Sequence, residues 1–132
     1  MKFVRGVALV ALGFLAGTSV VGAVPMLLDP HGEPWQMPQS FLEHSPFHSY
    51  LVPGMILLLA NGALSLFVLY LAMRRRKGYG WWVAVQGCVL CGWIGAEVAM
   101  LRIAVWPHYL YAAIGLALIA LGLALTREAR AD

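Results

Sequence analysis

Charge is scarce in this chain: 11% of its 132 residues are charged, 61% are hydrophobic, and the mean hydropathy is +0.78. A soluble domain carries about 25% charged residues, so a water-soluble globule of this size could not hide the apolar surface. Cysteine is nearly missing too. Cys88 and Cys91 form a single Cys-x-x-Cys inside an apolar run. That excludes a disulfide framework and leaves two small buried hydrophobes as the reading of the thiols. The chain has no His-Glu-x-x-His, no paired Cys-x-x-Cys units, no phosphate loop and no nucleotide fingerprint. The net charge of +3 does not point to nucleic acid, because the basic residues cluster at the ends of apolar runs, where topology signals sit.

What is present is four long apolar runs, at about 4–24, 47–73, 81–103 and 108–125. Each approaches the roughly 20 residues that a spanning helix needs. The expected fold is all-α: one transmembrane domain over 1–132, an integral membrane four-helix bundle with a proline-rich outer-side loop at 26–46. The first run follows Lys2 and Arg5, and Pro25 is expected to end it. It is too long for a signal-peptide core of about 7–15 residues, so it reads as a retained helix. Pro30, Pro34, Pro38 and Pro46 forbid one continuous helix in the loop. Asp29-Pro30-His31-Gly32 reads as a turn, and Ser40-Phe41-Leu42-Glu43 as a capping box for a short interfacial helix. Pro53-Gly54 is expected to kink the second helix, Arg74-Arg75-Arg76-Lys77-Gly78 to stop it, and the tail after Leu125 to fray.

Orientation follows from the basic residues. With both termini cytoplasmic, eight of the nine lie inside and only Arg102 outside. Trp81 and Trp82 then mark the inner interface, and Trp106 and Tyr109 the outer one. The histidines His31, His44, His48 and His108 fall on the outer side.

Glu97 is the informative residue, an ionisable group within the third run. Such groups cost free energy unless neutral, paired or wetted, and are functional candidates by default. Gln86 lies eleven residues before it and Trp93 four before it. Eleven residues are close to three helical turns, so the three share one face. Asn61, near the middle of the second run, matches Gln86 in depth and is its natural partner, which is also what helix–helix packing alone would ask. Glu97, Trp93, Gln86 and Asn61 are therefore the ligand or proton candidates. The structural alternative pairs Glu97 with Arg102, His108 or a loop histidine. His44 and His48, four apart, with Glu43 are a metal candidate, against which Pro46 stands between them. Arg74, Arg75, Arg76 and Lys77 suit anionic lipid headgroups, at about 1 kcal/mol each. Gly13-x-x-x-Gly17, with Gly87, Gly92, Gly95, Gly115 and Gly122, is expected to serve internal packing in a four-helix chain, with a dimer seam as the alternative.

The stretch LLDPHGEPWQMPQSFLEHSPFHSYLVPGMILLLANG, the basic turn after it and GCVLCGWIGAEV in the third helix resemble small uncharacterised bacterial four-helix inner-membrane proteins. The resemblance spans most of the chain and implies a bacterial inner-membrane location and this topology, with no activity attached. The chain departs from small multidrug-resistance transporters, whose first helix carries a glutamate that is missing here. The expectation is a non-enzymatic protein without cofactor, an accessory or structural subunit partnered by the bilayer and by a larger complex or copies of itself. The alternatives are a small-solute or lipid transporter or binding protein built around Glu97, and an outer-side metal-binding protein.

Overall fold

The structure is a computed structural model that describes residues 2–28, 51–101 and 106–131. It is all-helical. Helix α1 (Lys2–Leu28) is followed by a second rod made of α2 (Leu51–Ile56), a π-helical segment (Leu57–Ala63) and α3 (Leu64–Met73). A tight turn leads into α4 (Tyr79–Leu101), and α5 (Trp106–Ala131) completes the chain. Four stretches are long and apolar enough to cross a membrane: Lys2–Val24, Val52–Met73, Tyr79–Ala99 and Trp106–Glu128.

The rods pack in cyclic order. The second rod lies against α1 and α4, and α5 lies against α4 and α1. Ala8, Leu12 and Leu15 of α1 meet Val68, Val83, Leu90, Leu118 and Leu125 along the axis. The closest pair is α4–α5, where glycines replace side chains at the crossing. A Cβ on Gly87 would stand 2.5 Å from the Gly115 carbonyl oxygen, and one on Gly122 would collide with the backbone nitrogen of Ala84. Gly13 and Gly17 do the opposite. Nothing lies within 4 Å of where their Cβ would be, so this GxxxG faces outward and takes no part in internal packing. Gly92 and Gly95 are likewise open.

Several boundaries differ from expectation. Helix α1 runs through Pro25 to Leu28. Pro25 cannot donate to the Val21 carbonyl and so removes one bond of the helix ladder, yet the helix runs three residues past it. The tail does not fray: α5 continues to Ala131, through residues with good helix propensity, and the Thr126 hydroxyl donates to the Gly122 carbonyl at 2.8 Å. The second rod also carries a π-helical segment at Leu57–Ala63, which was not expected. The expected turn at 29–32, the capping box at 40–43, the metal candidates His44, His48 and Glu43, and Arg102 lie outside the described residues.

The turn after α3 is capped by arginines. Arg76 N–H donates to Leu71 O at 2.9 Å and Arg75 N–H to Ala72 O at 3.3 Å, the paired bonds of a Schellman cap. Arg75 occupies its left-handed position, with φ 51°, where glycine is usual. Arg5 of α1 reaches the same helix end, donating from Nε to Ala72 O at 2.9 Å and from Nη2 to Met73 O at 3.0 Å. Gly80 meets Thr126 beside them. Arg5, the 74–77 cluster and Arg127 therefore gather at one end of the bundle.

Candidate functional site

The opposite half of the bundle encloses a cavity of about 210 Å³ to which all the rods contribute. Its apolar wall is Leu15, Leu57, Leu90 and Ile94, and its polar points are Asn61, Glu97 and His108. Each element delivers its residue for a local reason. On α1 the buried positions Leu12, Leu15, Ser19 and Ala23 recur at helical spacing, which turns Ser19 inward. Thr18 also lines the cavity, but its hydroxyl donates back to the Phe14 carbonyl at 2.8 Å, leaving its methyl to the interior. Pro107 near the start of α5 suits a first helical turn, which needs no N–H there, and His108 follows it.

At the mouth, His108 Nε2 and Glu97 Oε2 share a hydrogen bond of 3.1 Å. The imidazole is buried at 8% side-chain exposure, while the carboxylate keeps 29%. Trp93, one turn before Glu97, lines the same cavity. Among the described residues, the imidazole of His108 on α5 is the partner Glu97 takes.

Deeper in the bundle, Asn61 and Gln86 are fully buried and meet across the α4 interface. Gln86 Nε2 donates to Asn61 Oδ1 at 3.5 Å and to the Ala60 carbonyl at 3.3 Å. The π-helical backbone explains the second bond. Leu64 N–H donates to Leu59 O, five residues back, so the Ala60 carbonyl loses the donor it would have in an α-helix and takes Gln86 instead. π-bulges are frequent at functional sites. Three buried polar atoms here have no partner: Asn61 Nδ2, Ser65 Oγ and Gln86 Oε1. Each such atom costs about 1–3 kcal/mol of desolvation.

The structure thus brings Asn61, Trp93 and Glu97 to one cavity and sets Gln86 directly behind Asn61. The cysteines were expected to be buried; Cys88 is instead exposed, and Cys91 is partly buried against Gly115. No group of three metal-ligating side chains forms among the described residues. Arg74, Arg75, Arg76 and Lys77 are exposed on the turn at the far end. Sequence reasoning missed Ser19, Ser65 and Tyr111. Ser19 was readable from the spacing of Leu12 and Leu15; nothing in the sequence marks the other two.

The architecture defines a helical bundle of four rods, each long and apolar enough to cross a membrane, with an interhelical cavity. No protein-family model, curated protein or solved structure matches the chain.

Proposed function

We propose that this is a multi-pass protein of a bacterial inner membrane, with both termini and the basic turn on the cytoplasmic side, that binds a small amphipathic solute in its outer-half cavity. Only 22–33% of each apolar span is buried inside the bundle, so most of its apolar surface needs an apolar solvent. The gathering of Arg5, Arg74–Lys77 and Arg127 at one end supports the orientation. The observation that carries binding is the cavity itself: it joins an acid–imidazole pair at its mouth to a fully buried amide deeper in, whose Nδ2 has no partner. Binding pockets take this form, apolar walls with a few convergent polar groups. Glu97 and His108 engage each other, which shapes a polar entrance rather than activating a nucleophile, and the proposal is of binding without catalysis.

A second reading, an accessory subunit, is supported by α1. Gly6, Gly13 and Gly17 leave its outward face open to a close helix neighbour. Native mass spectrometry of protein extracted with minimal detergent tests both. A small molecule retained by the native chain and lost from Ile94→Trp, which fills the cavity, supports the first reading once circular dichroism shows that the variant is folded. No retained molecule, or equal retention by both chains, defeats it. A second polypeptide or a second copy at fixed stoichiometry, lost on Gly13→Leu, supports the subunit reading.

A further inference from the structure

The Asn61–Gln86 contact has the wrong pattern for simple helix glue. Two side-chain amides that exist only to join helices can pair reciprocally, each donating to the other's oxygen. Here Gln86 gives Nε2 to both Asn61 Oδ1 and the Ala60 carbonyl, and Asn61 Nδ2 donates to nothing. The orientation of the Asn61 amide is nevertheless fixed. Turning it over would set its N–H groups against those of Gln86, and turning Gln86 over would set its oxygen against the Ala60 oxygen. Gln86 and the π-helical carbonyl together hold Asn61 in one sense, with its oxygen engaged and its N–H donor free, on a side chain that lines the cavity.

Resting on the reading that the cavity binds a solute, we propose that Asn61 is the recognition point for an acceptor oxygen, of carbonyl type, on a small uncharged molecule, and that Gln86 is the positioning residue that keeps the Asn61 donor presented. Charge argues for a neutral ligand. Glu97, the acid that lines the same cavity, is engaged by His108, so neither group is left over as the counter-charge that a buried ionic ligand would need. Size agrees: 210 Å³ bounded by Leu15, Leu57, Leu90 and Ile94 suits a compact apolar body carrying one polar atom.

The test compares two probes of one shape, cyclohexanone and methylenecyclohexane, which differ in an oxygen against a CH₂. Binding to the purified full chain is measured by titration calorimetry, with protein-free micelles as reference. The expected result is that the wild-type protein binds the ketone about tenfold more tightly, the worth of one well-made buried hydrogen bond. Asn61→Leu should bring the two probes level. Gln86→Leu should reduce the ketone preference without touching the hydrocarbon, which a merely structural role would not do. Saturable, equal binding of both probes to the wild-type protein overturns the acceptor-oxygen proposal and leaves the cavity reading standing. Saturable binding of neither overturns both. The wild-type comparison needs no variant, so a substitution that fails to fold does not remove the test.

Discussion

Gln86 and Ala60, on different rods, are joined by a side-chain-to-carbonyl bond of 3.3 Å that exists because the backbone around Ala60 has slipped into π-helical register. Gln86→Leu removes the donor from both Ala60 O and Asn61 Oδ1 and strands the rest of the Asn61 amide. It should cost about 1–3 kcal/mol. Asn61→Leu should cost less, since Gln86 keeps Ala60, and the double variant should cost clearly less than the two together, because it removes the stranded groups as well. Unfolding free energies in detergent for the four chains of this cycle decide the matter. Additive losses would mean that the two amides are not coupled.

The α4–α5 crossing makes a sharper prediction. Gly122→Ala drives a methyl group into the Ala84 backbone and Gly87→Ala one into the Gly115 carbonyl. The helices must separate, at about 1–3 kcal/mol each. Gly13→Ala meets open space and should show no loss. Thermal midpoints of the three variants test this ranking, and a Gly13→Ala loss matching the other two would contradict the outward placement of that motif.

Much of this architecture was legible and the rest had reasons not to be. Hydropathy marked four spans because apolar length is a property of composition, and the 11-residue spacing of Gln86 and Glu97 placed them on one face because helical period is nearly constant. The depth match of Asn61 with Gln86 followed from the antiparallel order of the rods. The π-helical register carried no signature, since it is a choice between two hydrogen-bond ladders of the same residues. Which glycines pack and which face outward depends on rod rotation: Gly13 and Gly17 looked as suited to a seam as Gly87 and Gly122. The basic run read as a stop signal, and its use of Arg75 in left-handed backbone, with Gly78 three residues on, was hidden.

That arginine supplies a prediction with two opposed signs. A non-glycine residue at φ 51° carries a penalty of about 1–2 kcal/mol, which Arg75→Gly removes. The variant should be more stable, by up to about 1 kcal/mol once the greater chain entropy of glycine is set against it. It also removes one exposed cation from the 74–77 cluster, so the affinity of the detergent-solubilised chain for anionic lipid should fall about fivefold. Melting curves and titration with anionic lipid in mixed micelles read the two effects separately. A variant with lowered stability would show that the cap is not under strain.

Glu97 and His108 close the mouth, and their substitutions should not be equivalent. Glu97→Gln keeps a polar group opposite the imidazole and removes a charge that needed solvation, so it should cost under about 1 kcal/mol. His108→Phe leaves the carboxylate with its 29% exposure as its support, and should cost about 1–3 kcal/mol, as loss of a bond to a charged group does. Combining the two should recover much of that loss, because the stranded carboxylate is gone. Melting at neutral pH in one detergent distinguishes this order from its reverse. If His108→Phe proved neutral, the contact would be incidental, and the mouth of the cavity would have to be sought in the residues of α1 instead.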